Sequence, residues 1–267
     1  MPVSNARGFK THYVEEGHGP AVVFAHGFLF DHTTFAAQFE ELPERYRCIA
    51  RDLRGHGRSE CPDGPWSMQD MVVDLIRFIE DVDAAPCHLV GMSIGGMIAV
   101  RVALQREDLV RSLVMIDSTA SAEDPGAAEA YAAYKDRADR EDGIDEDFAR
   151  ETIGFFFSQA FMQQHPDVVD IQIERETNVP AIAIVEGLRA LIDRDSVTDR
   201  LNEIRVPALA IHGEADLTIP ISNAEEFAAG VGGVEVVRIP GAGHTTPLEA
   251  PDVVNEALSG FLAGVKR

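Results

Sequence analysis

A serine flanked by glycines is the strongest chemical signal in the sequence. Ser93 lies in Gly91-Met92-Ser93-Ile94-Gly95, directly after an apolar run typical of a strand and directly before a helical pattern. A sharp turn between a strand and a helix exposes a serine Oγ, and it leaves room only for small neighbours. The pattern therefore predicts a nucleophilic serine at position 93.

A serine hydroxyl is a weak nucleophile, so it needs a base, and the base needs an orienting carboxylate. His244 follows a predicted strand in the loop GAGH, and its imidazole could take the Ser93 proton and return it to a leaving group. Three candidate acids, Asp117, Glu214 and Asp216, lie between the serine and the histidine in chain order. We favour Asp216, in the loop after the strand PALAIHG, with Asp117 as the next choice.

Acyl transfer also requires N–H donors for the oxyanion of the tetrahedral intermediate. The amide of Ile94 follows Ser93 at the start of a predicted helix, and it is the first candidate donor. The main-chain amide of Phe28, in the loop His26-Gly27-Phe28 after a predicted strand, is the second. We expect His26 to hydrogen-bond this loop rather than to titrate in catalysis.

Composition and charge narrow the classes of function. The chain has 267 residues, 45% of them hydrophobic, which is enough for a core without disulfides or a structural metal. The formal net charge of −22 disfavours binding to nucleic acids and to anionic membranes. The histidines show no HxxxH or HExxH spacing, so we expect neither a metal nor a cofactor.

Cysteine usage and the first residues of the chain favour a cytoplasmic location. Cys48, Cys61 and Cys87 are three in number and unevenly spaced, as in proteins with reduced thiols rather than a disulfide framework. The N-terminal segment lacks the apolar region of a signal peptide, and no apolar run approaches the roughly 20 residues of a membrane span. We therefore expect a cytoplasmic protein that makes no membrane contact.

The elements that must position these residues alternate between strand and helix. Apolar runs at residues 21–26, 47–52, 87–92, 112–117, 207–213 and 234–240 are typical of buried strands. Helical patterns occupy residues 68–82, 95–104, 222–229 and 252–262. This alternation predicts a doubly wound α/β domain.

Residues 119–200 interrupt that alternation with an acidic, alanine-rich, helix-like segment. We therefore predict one α/β core domain made of residues 1–118 and 201–267, with residues 119–200 as a helical cap insertion.

Five motifs in order along the chain resemble the α/β-hydrolase superfamily. They are HG at 26–27, DLRGHGRS at 52–59, GMSIGGM at 91–97, HGEAD at 212–216 and GAGH at 241–244. The stretches RDLRGHGRS and GGMIAVRVAL are most similar to the 3-oxoadipate enol-lactonase and carboxylesterase group. The resemblance implies an eight-stranded, mostly parallel sheet, a helical cap over the active site, and a catalytic triad of Ser93, Asp216 and His244. It also implies that Asp52, Arg54 and His56 are structural.

Departures from other branches of the superfamily favour ester or lactone hydrolysis. Ser93 stands where related epoxide hydrolases and haloalkane dehalogenases carry Asp, and the loop HGFLFDH lacks the continuation typical of carbon–carbon bond hydrolases. We predict a cofactor-independent serine hydrolase that acts through an acyl-enzyme. One alternative is a cofactor-free haloperoxidase or perhydrolase, although these usually carry Trp at the position of Phe28. The other is a non-catalytic small-molecule receptor of the same fold.

The cap insertion is expected to select the substrate. Phe157, Phe161 and Met162 are the predicted apolar pocket residues, since Phe157 and Phe161 would share a face if their segment is helical. An alternative is that this cluster anchors the cap to the sheet. The acidity of the chain favours a neutral, medium-sized ester or lactone as the small-molecule partner. The sequence leaves open whether the protein is a monomer or a homodimer.

Overall fold

Eight strands form one sheet in the computed structural model, which describes residues 2–265. The strands are β1 Val3–Ser4, β2 Thr11–Glu16, β3 Ala21–Ala25, β4 Arg47–Arg51, β5 Cys87–Met92, β6 Val110–Ile116, β7 Ala208–Gly213 and β8 Val236–Ile239. Their order across the sheet is β1-β2-β4-β3-β5-β6-β7-β8. The pairs β1–β2 and β2–β4 are antiparallel, and all the other pairs are parallel. The predicted eight-stranded, mostly parallel α/β-hydrolase sheet is confirmed.

The central strands are buried along their whole length because both faces of the sheet are covered. Every residue of β3, β5 and β7 is buried. Parallel strands in this position read as continuous apolar runs rather than as alternating patterns. The six predicted strands correspond to β3 through β8, with ends that differ by a few residues.

The first two strands were not predicted from the local pattern. Strand β2 has the sequence THYVEE and is buried only at its first two residues. Strand β1 comprises two residues and pairs with β2 at the edge of the sheet. Because β1 has only two residues and β2 is buried only at its start, neither strand carries the apolar run that marks the central ones.

Eleven α-helices are assigned within residues 2–265. They are α1 Ala36–Glu41, α2 Met68–Asp81, α3 Ile94–Gln105, α4 Pro125–Glu141, α5 Glu146–Thr152, α6 Gln159–Gln164, α7 Pro166–Thr177, α8 Ala181–Ile192, α9 Ser222–Gly230, α10 Thr246–Glu249 and α11 Pro251–Gly264. Helix α2 begins with a capping box, in which Ser67 and Asp70 satisfy each other's backbone N–H. None of the helices in this range is long and apolar enough to cross a membrane.

The segment between β6 and β7 contains helices α4 to α8 and no strand. We call residues 119–200 the helical insertion. Its first long helix, α4, packs against its last, α8. An ion pair between Glu123, before α4, and Arg194, after α8, joins the two ends. The insertion therefore folds back on itself and returns the chain to the sheet next to where it left.

Candidate active site

The turn between β5 and α3 places Ser93 at a strained backbone position. Ser93 has φ 52° and ψ −124°, a positive φ that is rare for any residue other than glycine. Gly95 is required by a close approach, since a Cβ there would lie 2.1 Å from the carbonyl oxygen of Ala25. The backbone therefore has the sharp turn that the GxSxG pattern predicts.

Three of the predicted residues form one hydrogen-bonded chain. His244 Nε2 lies 2.9 Å from Ser93 Oγ, and His244 Nδ1 lies 2.7 Å from Asp216 Oδ2. The other oxygen of Asp216 accepts hydrogen bonds from the backbone N–H groups of Thr218 and Ile219, at 2.8 and 2.9 Å. An ionised carboxylate only accepts, so Nδ1 carries the proton and Nε2 is free to accept from the serine hydroxyl.

The electrostatics of this chain favour an ionised Asp216 beside His244. Burial alone would raise the pKa of Asp216, but the charge of His244 and hydrogen bonds from His212, His244 and Ile219 hold it well below its usual range. Burial alone would lower the pKa of His244, but the negative charge and hydrogen bond of Asp216 outweigh it and the pKa is raised. The site can therefore accept a proton on His244 and stabilise the resulting imidazolium.

The two rival acids lie elsewhere. Asp117 Oδ1 accepts from the backbone N–H of Gly213 at 3.0 Å, and its Oδ2 accepts from the N–H and the hydroxyl of Thr246 at 2.9 and 2.7 Å. Burial raises the pKa of Asp117 to about 6. Glu214 is exposed. Asp117 thus connects the segment before Asp216 to the residues after His244, without a hydrogen bond to the imidazole.

A second histidine also contacts Asp216, and sequence reasoning did not single it out. His212 Nε2 lies 2.8 Å from the carbonyl oxygen of Ile219 and 3.3 Å from Asp216 Oδ2. Its side chain is buried at the end of β7. The residue is the first of the HGEAD motif, so the motif contained a signal for a histidine near the acid.

The predicted oxyanion donors lie on two segments that meet at Ser93, the start of α3 and the loop after β3. Ile94 is buried and begins α3. Phe28 follows Gly27, and a Cβ on Gly27 would lie only 3.4 Å from the Cβ of Ser93, so this loop passes directly beside the serine. His26 fixes the loop, with Nδ1 2.7 Å from the carbonyl oxygen of Gly27 and Nε2 accepting from the N–H of Leu53.

His26 holds this loop as a neutral side chain. Burial and the neighbouring His56 lower its pKa to about 4. This agrees with the expectation that His26 hydrogen-bonds the loop rather than titrating.

A buried glutamine of the helical insertion holds the same loop, and no local pattern pointed to it. Gln172 Nε2, on α7, donates to the carbonyl oxygen of Leu29 at 2.9 Å and to Glu176 Oε1 at 3.3 Å. Gln172 and Glu176 are both fully buried. Leu29 has φ 65°, a conformation that needs support in a residue other than glycine. The insertion is therefore tied to the residue next to Phe28.

A cavity of about 190 Å³ opens onto Ser93 and His244. Most of its lining side chains are apolar, and they come both from the sheet domain, as Met97 does, and from the helical insertion, as Phe148 and Leu188 do. Its rim includes two exposed apolar side chains, Leu217 at 77% and Phe155 at 42%. The arrangement suits a ligand with a substantial apolar portion.

The predicted pocket residues Phe157, Phe161 and Met162 do not line this cavity, so that prediction is corrected. Phe157 packs edge-on against Phe30 and stacks on Phe161, with ring centroids 6.3 and 5.2 Å apart. Phe157 lies between a short 3-10 helix that ends at Phe155 and α6, which begins at Gln159, so the assumed helical spacing fails. The cluster anchors the insertion, and Phe155 and Phe156 line the cavity instead.

Two clusters of histidine and carboxylate lie close enough together for metal ligation within residues 2–265. They are His12, His32 and Asp52, and Asp117, His212 and Asp216. Most of their nitrogens and oxygens already hydrogen-bond to each other or to neighbouring groups, for example His12 and His32 to Asp52, both at 2.8 Å. Among the residues described, His12 Nε2 and His212 Nδ1 are buried without a hydrogen-bond partner. Asp52 also accepts from the N–H of Arg58. These contacts give the DLRGHGRS motif its structural role.

The fold and these motifs match known proteins. The model of the alpha/beta hydrolase family matches residues 22–257. The 3-oxoadipate enol-lactonase 1 of Acinetobacter baylyi is 26% identical over 92% of this chain and 90% of its own. A Mycobacterium tuberculosis protein provisionally named non-heme bromoperoxidase BpoC is 30% identical over 83% of this chain and 84% of its own.

Among solved structures, a thermophilic esterase from Thermogutta terrifontis is similar with a TM-score of 0.90 and 28% identity. The similarity covers 97% of this chain and 95% of that one. The match to the family model and the shared fold together establish that the chain belongs to the alpha/beta hydrolase family.

Proposed function

We propose that this protein is a serine hydrolase that cleaves a carboxylic ester or a lactone through an acyl-enzyme. The observation that carries the proposal is the hydrogen-bonded chain from Ser93 Oγ through His244 to Asp216. Similarity to an esterase and to an enol-lactonase supports the same class of reaction.

In the proposed mechanism, Ser93 Oγ attacks the carbonyl carbon of the ester while His244 Nε2 takes the hydroxyl proton. Asp216 stabilises the imidazolium, and the amides of Phe28 and Ile94 bind the oxyanion. The carbon–oxygen bond to the alcohol then breaks, and Nε2 protonates the departing oxygen. Water attacks the acyl-serine with His244 as base, which releases the carboxylic acid and restores the free serine.

The helical insertion is proposed to act as a cap that selects the substrate. The cavity beside Ser93 is lined on one side by residues of α4, α5 and α8. Its apolar lining supports an uncharged, medium-sized ester or lactone, because such a wall does not compensate the desolvation of a free charge.

The test of this proposal is hydrolysis of p-nitrophenyl butyrate by the native protein and by Ser93→Ala. We expect kcat to fall by about 10³-fold or more, since the variant lacks the nucleophile. A fluorophosphonate should form a covalent adduct on Ser93 of the native protein, and the variant should melt at a similar temperature. Equal hydrolysis by the variant would refute the mechanism. A native protein that forms no adduct would support the receptor alternative.

Haloperoxidase activity is the second candidate, supported by the relative provisionally named as a bromoperoxidase. Ser93 and His244 would also be the catalytic residues of this reaction. Phe28, however, stands where such enzymes usually carry Trp. Bromination of monochlorodimedone that requires peroxide and exceeds ester hydrolysis in rate would select this activity over the esterase.

A further inference from the structure

Polar side chains are few in the cavity wall, so each one bears on which substrates fit. Apart from Ser93 and His244, they are Glu123, Tyr131, Tyr134, Thr152, Arg194 and Thr218. Both threonine hydroxyls are satisfied by the backbone. Thr152 Oγ1 lies 3.2 Å from two carbonyl oxygens of its own helix, and Thr218 Oγ1 lies 2.6 Å from that of Phe155.

Glu123 and Arg194 neutralise each other in the cavity wall. Arg194 Nη1 lies 2.5 Å from Glu123 Oε2, and Arg194 Nε donates to the carbonyl oxygen of Ser121 at 3.0 Å. The side chains of Arg194 and Glu123 are only 2% and 10% exposed. A substrate carboxylate would therefore meet a negative charge together with the positive one. The cavity thus offers little stabilisation to an anionic substrate.

The hydroxyls of Tyr131 and Tyr134 make no hydrogen bond with any residue in the range 2–265, in contrast to the other polar side chains of the wall. The two residues lie one turn apart on α4. Tyr134 packs by its ring against Phe148 and Phe155, with centroids 5.7 and 6.2 Å apart, and Phe155 is at the exposed rim.

Tyr131 lines the same cavity as Ser93 and His244. Burial raises its pKa, and so do the negative charges of Glu123 and Asp216, while Arg194 acts in the opposite direction. The phenol is therefore protonated throughout the neutral range, and it is influenced both by the Glu123–Arg194 pair and by the carboxylate that holds His244. Tyr131 can offer an uncharged hydrogen-bond donor within the cavity.

We propose that the Tyr131 hydroxyl donates a hydrogen bond to an uncharged second oxygen of the substrate, such as an ether, ketone or hydroxyl oxygen beyond the scissile bond. The inference rests on the hydrolase activity proposed above, and it narrows the substrates to neutral esters or lactones that carry such an oxygen. A hydrocarbon substrate of the same shape leaves the donor without a partner inside an apolar cavity, which costs free energy.

The experiment compares esters that differ only by exchange of a methylene for an ether oxygen. In the acyl series, p-nitrophenyl hexanoate is compared with p-nitrophenyl 4-methoxybutanoate and 3-ethoxypropanoate. In the alcohol series, pentyl acetate is compared with 3-methoxypropyl and 2-ethoxyethyl acetate. The quantity measured is kcat/KM of each ether ester divided by that of its hydrocarbon counterpart. The proteins are the native chain, Tyr131→Phe, Tyr134→Phe, and Tyr13→Phe as a control outside the cavity.

We expect the ratio for at least one ether ester to fall by about three- to tenfold in Tyr131→Phe, as for the loss of one hydrogen bond. Tyr13→Phe should leave every ratio unchanged. Ratios that do not change in Tyr131→Phe, or that change only in Tyr134→Phe, would overturn the assignment. Mono-p-nitrophenyl adipate should be a poorer substrate than p-nitrophenyl hexanoate, and the opposite order would overturn the preference for neutral substrates.

The proposed hydrolase activity has its own control in this experiment. If the hydrocarbon esters are cleaved equally by Ser93→Ala, or not at all by the native protein, the proposed function fails. If they are cleaved only when Ser93 is present and the ratios do not depend on Tyr131, only the present inference fails.

Discussion

Asp216 and Asp117 are both buried carboxylates near His244, but their hydrogen-bond donors differ. Asp216 Oδ2 receives the Nδ1–H of His244, whereas Asp117 receives backbone and hydroxyl donors from Gly213 and Thr246. Only Asp216 can therefore fix the tautomer of the imidazole and stabilise its charged form. Asp117 instead holds the segments of Gly213 and Thr246 in position through its hydrogen bonds.

Replacing Asp216 should consequently impair catalysis far more than replacing Asp117. For Asp216→Asn we expect kcat to fall by about 10³- to 10⁴-fold, because an amide in place of the carboxylate favours the wrong tautomer. The measurement is kcat for p-nitrophenyl butyrate at pH 7.5.

Asp117→Asn is the matched control, since it removes an equally buried charge. The asparagine in this variant keeps an acceptor for Gly213 or Thr246, so we expect kcat to fall by about tenfold or less. A larger loss in Asp117→Asn than in Asp216→Asn would mean that the acid has been assigned to the wrong strand.

At the level of single residues, the sequence was informative where local geometry restricts the residue type. The turn that holds Ser93 tolerates only small neighbours, and chain order limited the acid to a few positions. Chain order could not separate Asp117 from Asp216, because which carboxylate reaches His244 depends on how two distant loops pack. Tyr131 and Arg194 lie in the helical insertion, where no local pattern specifies which face meets the cavity.

At the level of elements, the contact between α7 and the loop after β3 connects the insertion to the proposed oxyanion site. Gln172 donates to the carbonyl oxygen of Leu29, and the next residue toward the N-terminus is Phe28. Phe28 thus lies between two fixed peptide groups. His26 bonds to the carbonyl oxygen of Gly27, in the peptide that carries the Phe28 N–H, and Gln172 bonds to the carbonyl oxygen of Leu29. A glutamine on a helix is usually exposed, so its type alone did not predict this contact.

Removing this contact should affect the transition state more than substrate binding. In Gln172→Leu we expect kcat to fall by about tenfold with KM changing less than about twofold, because an oxyanion donor acts mainly on the transition state. Steady-state kinetics with p-nitrophenyl butyrate measure both constants. Gln163→Leu, at an exposed position of α6, is the matched control and should behave like the native protein. A rise in KM at constant kcat would instead indicate that Gln172 helps to form the cavity.

The same scale explains why the central strands β3 to β7 could be predicted and β1 and β2 could not. Coverage by helices on both faces leaves an apolar run in each central strand, and THYVEE, which is buried only at its first two residues, has no such run. The Phe157 and Phe161 prediction failed for a related reason. The phenylalanines follow one another across a break between two short helices, where a helical period does not apply.

At the level of the whole molecule, a buried acid should make folding stability depend on pH. Burial raises the pKa of Glu176 from 4.5 to about 8, so between these values the folded state keeps a proton that the unfolded state has released. The contribution of Glu176 to the free energy of unfolding is therefore fully present below about pH 4.5, and it is lost as the pH rises toward 8.

In the variant Glu176→Gln, the side chain at position 176 is uncharged at every pH. We expect its Tm to be at least about 4 °C above that of the native protein at pH 9 and close to it at pH 5. Thermal unfolding followed by circular dichroism across this range gives the comparison. Glu174→Gln, exposed on the same helix, should show no such dependence. Parallel Tm curves for native protein and Glu176→Gln would contradict the burial of an uncharged Glu176.

Ser93, Asp216 and His244 follow β5, β7 and β8, respectively. Along the chain, the helical insertion lies between Ser93 and the other two residues. No contiguous stretch of chain holds the three groups together before the central sheet has formed. In a refolding experiment, recovered turnover would thus report the completion of the sheet, while helical circular dichroism could return earlier.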